Sequence, residues 1–548
     1  MRRNARIHVA KTLPVLLLVL VQTGITDAAE HAAFRAALAT ITDEDLAQHV
    51  GTLADDVFEG REAGSRGGHA SATYLRKELE KLAVEPAGPD GQWFQTFGDN
   101  YRNLLAMVSG SDPKLKNEFI LLTAHYDHVG YGSRSNSYGP VGFIHNGADD
   151  NASGVSALLE LIQAILALPQ PPGRSILFML WDGEEKGLLG SRHWIENPTV
   201  PLETIRLLIN LDMIGRLRDD RLEVFGTRTA QGLRRLVARV NSQQPIDSAQ
   251  TLLPGTPLLA GGLLLDFQWD VRANSDHWPF FEHDIPFLQY HTGLHDDYHR
   301  PSDDTHLINT AGMRRVTQLL FATVVAVADA KELPDFRQAA RHESQGDRHR
   351  FERQLPTLPP RLGVTWDPKT DAAGAGVVIN HVVYDTPAHR AQLQTGDRIV
   401  AIDGQPIHSG NQFRAAVLIA SGETTLTIER LDNKTPVDIK VSLPKNPVRV
   451  GISWREEEAE PGVVLITRVI AGSPAATAAL RTGDRIYQLN GHDFSGSDDL
   501  LEQLATVDND LTLNVERRGR LRNVELHLPT IPDEPHPVET RPTAPRPG

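Results

Sequence analysis

Residues 147–166, GADDNASGVSALLELIQAIL, lie between two short runs that are apolar almost throughout, FILLTA at 119–124 and SILFML at 175–180. Unbroken apolar runs of this length fit strands covered on both faces, as in parallel sheets, rather than strands with one wet face. Between them, Val155, Leu158, Leu159, Ile162, Ile165 and Leu166 recur close to helical spacing within 153–168. Leu207 to Leu211 (LLINL) continues the pattern, with Asn210 as its one polar residue. Strand–helix–strand alternation predicts an α/β fold with a mostly parallel central sheet and flanking helices. In such sheets ligands gather beyond the carboxyl ends of strands. Chemistry is therefore expected around His125, just after Leu180 and just after Leu211.

Working outward, the chain has 548 residues, with 55 Lys and Arg against 70 Asp and Glu, a net charge of −15. At about 100–200 residues per domain this length predicts about three or four domains. The acidic balance, with no basic stretch, argues against nucleic acid or an anionic membrane surface as the main partner. There is no cysteine. That excludes disulfides, thiolate zinc sites, iron–sulfur clusters and a cysteine nucleophile, and leaves histidine and carboxylates as the strong metal ligands.

At the N-terminus Arg2, Arg3, Arg6 and Lys11 precede the apolar run LPVLLLVLV at 13–21, and Thr26-Asp27-Ala28 follows with small residues. This predicts a signal peptide over 1–28. The run is too short to span a bilayer as a helix, which takes about 20 residues. No other segment reads as long and apolar enough to cross a membrane, so the expectation is an exported protein, periplasmic or secreted, with no stable membrane anchor after cleavage.

The catalytic fold is expected over 29–330. Residues 331–360 are charged, poor in large apolar side chains and end in prolines, and 331–358 is read as a linker. Beyond it lies a repeat. Leu362-Gly363-Val364-Thr365-Trp366 returns as Val450-Gly451-Ile452-Ser453-Trp454, and Thr395-Gly396-Asp397-Arg398-Ile399 returns 87 residues later as Thr482-Gly483-Asp484-Arg485-Ile486. Two copies of one small β-rich domain are expected, at 359–445 and 446–531. The proline-rich stretch 532–548 is expected to be a disordered tail.

Five segments carry acids and histidines: Ala124-His125-Tyr126-Asp127, Gly147 to Gly154, Trp181-Asp182-Gly183-Glu184-Glu185, Asn210-Leu211-Asp212-Met213, and Asp296-Asp297-Tyr298-His299-Arg300-Pro301. Singly, each has an ordinary explanation as a solvated turn or a helix cap. Jointly they do not. Carboxylates converging at strand ends repel one another, these segments hold no cluster of Lys or Arg, and metal ions are the natural counter-charge.

The ordered set His-x-Asp, Gly-Ala-Asp-Asp-Asn-Ala-Ser-Gly, Gly-Glu-Glu-x-Gly-Leu-x-Gly-Ser, Asn-Leu-Asp-Met and Tyr-His-x-Pro-x-Asp resembles the M28 family of co-catalytic zinc exopeptidases, from about Leu53 to about Ala330. The resemblance implies two zinc ions per chain. One takes His125 and Asp212, the other Glu185 and His299, and Asp150 bridges them. His277, His128, His291 and His295 are alternatives for the last ligand; His299 is preferred because it alone sits in the Tyr-His-x-Pro frame. It further implies Glu184 as general base toward a water held between the metals, Asp127 as the carboxylate orienting the His125 ring, Tyr298 as a donor to the oxyanion, and a cis Asp150–Asn151 peptide. Asp149, Asp182, Asp296 and Asp297 are left as supporting or solvated groups.

The implied function is an aminopeptidase acting on peptides with a free N-terminus; a carboxypeptidase or a glutaminyl-cyclase-like relative is the alternative within the family. The repeats resemble PDZ domains of the bacterial, protease-associated type. That resemblance implies that the backbones of Leu362-Gly363-Val364 and Val450-Gly451-Ile452 receive peptide C-termini; equally open is a module that only braces the peptidase. A PDZ-based adaptor carrying a weakly active peptidase fold is the rival function.

Overall fold

The computed structural model describes residues 30–242, 262–366, 376–430, 435–446, 448–507 and 510–529. The expected signal peptide and proline-rich tail lie outside the described residues. The chain divides into two compact units near Arg350.

In the first unit nine strands make one sheet. They are β1 (Glu85–Pro86), β2 (Phe94–Phe97), β3 (Tyr101–Val108), β4 (Phe119–His125), β5 (Ser175–Trp181), β6 (Ile205–Leu211), β7 (Arg221–Phe225), β8 (Leu264–Phe267) and β9 (Phe287–His291). The order is β1-β3-β5-β4-β6-β9-β7-β8, with β2 paired to β3. The central strands β5, β4, β6 and β9 are parallel, while β3 and β7 run antiparallel to β5 and β9. The three apolar runs are thus the middle of a mostly parallel sheet, as expected.

Their lack of polar alternation has a visible cause. In β5, Ile176, Phe178 and Leu180 enter one core while Leu177, Met179 and Trp181 enter another. The first core is closed by helices Asp43–Leu53, Gly154–Leu166, Leu233–Ser242 and Thr310–Asp329. The second is closed by Leu189–Glu196 and His277–Glu282. Helix Thr310–Asp329 is long and apolar enough to cross a membrane, contrary to the sequence expectation, but 83% of that stretch is buried. Its apolar surface belongs to the core of this unit.

Helix Gly154–Leu166 is buried nearly all round and carries Glu160 inside, 1% exposed. Burial, with the charge of Asp45, pushes the Glu160 carboxyl up from 4.5 to about 7, against one long hydrogen bond (3.4 Å) from the Thr42 N–H. An acid with a raised folded-state pKa binds its proton more tightly folded than unfolded, so stability falls as pH rises from about 4.5 to about 7 and stays lowered above. Glu160→Gln is therefore expected to raise Tm by a few degrees at pH 8 and to change it little at pH 4. Thermal melts at both values check this; equal shifts would remove the charge from the explanation.

Residues 331–350, expected as linker, pack within the first unit. A 3-10 turn at Gln338–Arg341 and a helix at Gln345–Phe351 form there. The Phe336 ring meets Phe281 at 5.6 Å, Arg341 pairs with Asp284 and Arg337 with Glu343. Composition suggested a spacer because ion pairs, more than large apolar side chains, hold this stretch in place.

In the second unit the repeat appears as two matching sheets. The first has β10 (Val364–Trp366), β11 (Val377–Val382), β12 (Arg398–Ile402), β13 (Gln405–Pro406), β14 (Gly422–Glu429) and β15 (Val437–Leu443). Its order is β10-β11-β12-β14-β15, with β13 paired to β12. The second has β16 (Ile452–Glu456), β17 (Val464–Val469), β18 (Arg485–Leu489), β19 (Asp510–Arg517) and β20 (Arg520–His527), in that order. Each copy has its own core. The repeated glycine has a steric cause: a Cβ on Gly363 would lie 2.2 Å from Thr386, and one on Gly451 2.1 Å from Ser473. Thr386 and Ser473 cap the short helices Pro387–Arg390 and Pro474–Thr477. The strands that follow these glycines, β10 and β16, are edge strands.

Candidate metal centre

Because β5, β4 and β6 are parallel neighbours, their carboxyl ends lie side by side, with His125 in register with Trp181. His125, the Asp182–Glu185 turn and Asp212 are thereby delivered to one edge of the sheet. The loop before helix Gly154–Leu166 is stitched onto it. Asn151 donates from Nδ2 to the Leu211 carbonyl (2.9 Å) and accepts at Oδ1 from Met213 N–H (3.2 Å). Asp149 Oδ1 accepts from Gly215 N–H at 2.7 Å. The Asp150–Asn151 peptide is cis, as expected.

The structure brings the five expected metal ligands together as two clusters that share Asp150. Asp150 Oδ1 faces His125 Nε2 at 3.4 Å, and His125 Nε2 lies 3.5 Å from Asp212 Oδ1. Asp150 Oδ2 faces His299 Nε2 at 3.1 Å, which lies 3.2 Å from Glu185 Oε2. Bonds of about 2.0–2.1 Å to a tetrahedral zinc put neighbouring ligand atoms about 3.3 Å apart. The donor spacings fit that edge, and imidazole with carboxylate is a donor set that suits zinc. The electrostatics agree. Burial opposes charge on His299, yet hydrogen bonds to Asp150 and Glu185 raise it to about 11. Burial likewise works against the Glu185 carboxylate, but His128 and His299 hold it below the usual range. The cluster favours positive charge at this point, which a divalent cation could supply.

Glu184 adjoins a ligand in sequence but belongs to neither cluster. Burial, with the charges of Glu185, Asp276 and Asp212 and against that of His125, holds its carboxyl above the usual range. Asp127 differs in detail from the sequence expectation. His125 Nδ1 is 3.8 Å from the Asp127 carboxylate and closer, 3.2 Å, to its carbonyl. The carboxylate instead accepts from the N–H groups of Glu184 (3.1 Å) and Glu185 (3.3 Å), tying the turn that carries both. Two backbone donors in reach outcompete a distant ring. The Tyr298 ring stacks on His299 with centroids 3.9 Å apart. Burial and the surrounding carboxylates, Asp150 first, keep its hydroxyl protonated.

The alternative histidines separate. His277 stacks on Phe287 and bonds the Arg272 carbonyl, His291 accepts from Gly293 N–H, and His295 bonds Asp149 at 3.1 Å. His128 lies inside the second cluster. Asp149 and Asp182 are buried rather than solvated, Asp182 accepting from Arg102 N–H at 2.9 Å. Asp297 pairs with Arg216 at 2.5 Å, and Asp296 is exposed.

Two contributors had no role assigned from sequence. Asp303 Oδ2 accepts from the N–H groups of both Asp149 (3.0 Å) and Asp150 (3.1 Å), fixing the shared acid through its backbone. Arg61, 1% exposed, donates only to carbonyls: Tyr126, Leu53, Asn146 and Gly147, at 2.6–2.9 Å. It ties the lead-in segment to the loops bearing His125 and Asp150. Asp303 closes the Tyr-His-x-Pro-x-Asp motif and Arg61 stands in Gly60-Arg61-Glu62, so each had a visible signal without a visible target.

Residues 103–324 match the model of Peptidase family M28, and residues 360–443 and 448–528 match the PDZ domain. A probable leucine aminopeptidase of Arthroderma otae is 27% identical over 195 residues, 34% of this chain and 49% of that protein. Aminopeptidase YwaD of Bacillus subtilis is 25% identical over 229 residues, 40% of this chain and 43% of that protein. The chain spans about half the length of the curated relatives it matches. Among solved structures, the LapA aminopeptidase of Legionella pneumophila aligns with a TM-score of 0.42 at 24% identity, covering 55% of this chain and 75% of that one.

Proposed function

From a chain whose residues 103–324 are an M28-family peptidase domain and whose two repeats are PDZ domains, we propose an exported zinc aminopeptidase that holds two metals and removes N-terminal residues from peptides. The observation that carries the proposal is Asp150, whose two oxygens face separate His and carboxylate clusters at 3.4 and 3.1 Å. One carboxylate serving two cation sites is what a co-catalytic pair needs. His125 and Asp212 would complete one site, Glu185 and His299 the other.

Bound there, two zinc ions supply Lewis acidity, activating water near neutral pH and polarising a substrate carbonyl. The chain supplies the rest. Glu184 takes the proton onto its carboxylate and hands it to the departing amine. Asp127 holds the Glu184–Glu185 turn in place by its two backbone contacts. Tyr298, kept protonated, donates toward the developing oxyanion. The PDZ domains receive peptide C-termini at their edge strands β10 and β16 by strand addition, next to Leu362-Gly363-Val364 and Val450-Gly451-Ile452.

A substrate panel tests the proposal. Aminoacyl p-nitroanilides should be cleaved, N-acetylated ones should not, and 1,10-phenanthroline should abolish turnover until zinc is restored. Cleavage of N-blocked peptides from the C-terminus, or cyclisation of N-terminal glutamine in place of hydrolysis, would replace the aminopeptidase by one of its relatives. No turnover on any member would leave the adaptor reading.

A further inference from the structure

One loop beside the candidate metal centre is held firmly and yet shows apolar side chains to solvent. Tyr131, Tyr138, Val141 and Phe143 are all exposed, Tyr138 by 66%. Single exposed apolar residues are ordinary, but four large ones within 131–143 form a patch, and such patches mark contact surfaces. The loop is fixed from within. Gly142 N–H donates to the Tyr131 carbonyl at 2.7 Å and closes it. His145 is buried against it, Nδ1–H donating to the Phe143 carbonyl (2.9 Å) and Nε2 accepting from the Ser137 hydroxyl (2.7 Å). Gly132, at φ +69°, makes room for that ring: a Cβ there would lie 2.4 Å from His145 Cε1.

The same loop is fastened to His299. The Asn136 carbonyl accepts from His299 Nδ1–H at 2.8 Å, which leaves Nε2 for the carboxylates. Tyr138 N–H donates to the His299 carbonyl at 3.0 Å. The Tyr138 ring continues the stack that Tyr298 begins, its centroid 5.8 Å from that of Tyr298 and 5.9 Å from that of His299. Exposure rises along this line: 2% for the His125 side chain, 12% for that of His299, then Tyr138. The centre thus has an inner side, at His125 and Asp212, and an outer side where an aromatic face stands in solvent next to Tyr298.

In an enzyme that removes one N-terminal residue, the chain ends at the amine, so only residues after the cleaved bond continue toward solvent. We infer that Tyr138 determines specificity on this departing side: its ring packs against the side chain that follows the cleaved bond, on the patch that Tyr131, Val141 and Phe143 share. The substrates favoured are peptides whose second residue is aromatic or large and apolar. This rests on the aminopeptidase reading given above. An aromatic pair on a half-open surface is worth about 10-fold in binding.

The zinc-loaded full chain is assayed on leucyl-phenylalaninamide against leucyl-glycinamide, and on phenylalanyl-glycinamide against leucyl-glycinamide. Wild type is expected to favour the first substrate of the first pair by about 10-fold in kcat/KM, mostly through KM. Tyr138→Ala should bring that ratio near one and Tyr138→Phe should keep it, while neither moves the ratio of the second pair. Ratios taken within one protein cancel any general loss from loosening His299, which zinc analysis reports separately. Tyr138→Ser, read the same way, replaces an Ala variant that does not fold, and the wild-type ratio is a test that needs no variant. A wild-type ratio near one, a ratio unchanged in Tyr138→Ala, or a shift confined to the second pair would overturn the inference. Hydrolysis with any of those results leaves the aminopeptidase reading standing. No hydrolysis by wild type would remove that reading and this inference together.

Discussion

Glu184→Gln is expected to lower kcat by about 10²–10⁴-fold, the usual worth of a positioned proton carrier, with KM little changed and both zinc ions retained. The amide keeps the volume and the backbone contacts to Asp127 but cannot accept the proton. Its neighbour behaves differently. Glu185 sits between His128 and His299, at 2.9 and 3.2 Å, and Glu185→Gln should lose zinc first and activity as a consequence, so added zinc should restore part of its rate. Consecutive residues in a turn point to different places, and the two variants separate proton transfer from metal binding. Zinc content and kcat measured side by side decide the matter. Near-wild-type turnover in Glu184→Gln, or zinc loss in it but not in Glu185→Gln, would reverse the roles.

Asp150→Ala is expected to be the most damaging single change, with zinc falling well below two per chain and hydrolysis to the uncatalysed background. Its carboxylate takes part in both clusters, so its removal takes a ligand from each site and brings the remaining acids, Glu185 and Asp212, nearer to a balance that one cation satisfies. Asp303→Asn is the instructive comparison. It spares every ligand but weakens the acceptor for the N–H groups of Asp149 and Asp150, and supporting contacts of this kind are worth about 10–100-fold in metal affinity. Metal analysis across the three proteins should rank wild type, Asp303→Asn and Asp150→Ala in that order. Two tightly held zinc ions in Asp150→Ala would show that the shared carboxylate is not a ligand.

The architecture was legible because burial writes itself into local patterns. FILLTA, SILFML and LLINL could be placed inside a parallel sheet because strands covered on both faces are apolar nearly throughout, and β4, β5 and β6 send side chains into a core on each face. The repeat was legible for a different reason: the glycines at 363 and 451 and the capped helix starts at Pro387 and Pro474 answer each other sterically in both copies. What composition misjudged was the stretch 331–350. Beside the Phe336–Phe281 contact, it is fixed by ion pairs of Glu343 with Arg228 and Arg341 with Asp284, and an ion pair looks the same in sequence whether its partner is present or water is.

By itself, then, the sequence determined the layered α/β fold and the paired C-terminal domains, because each depends on residue type at a short spacing, while the five candidate metal ligands were implied by the resemblance of their motifs to the M28 family. Only the tertiary structure decided how those residues are divided and held. That Asp150 offers one oxygen to each cluster follows from the pairing order β5-β4-β6 and from Asp303, 153 residues away, gripping its backbone. That Asp127 braces the Glu184 turn rather than the His125 ring depends on which donors come within 3.3 Å. That His128 joins the second cluster while His277, His291 and His295 do not depends on where the chain crosses itself. Hydrogen bonds and metal coordination act over about 2–3.5 Å, and along a chain of 548 residues nothing local states which distant groups will arrive within that reach.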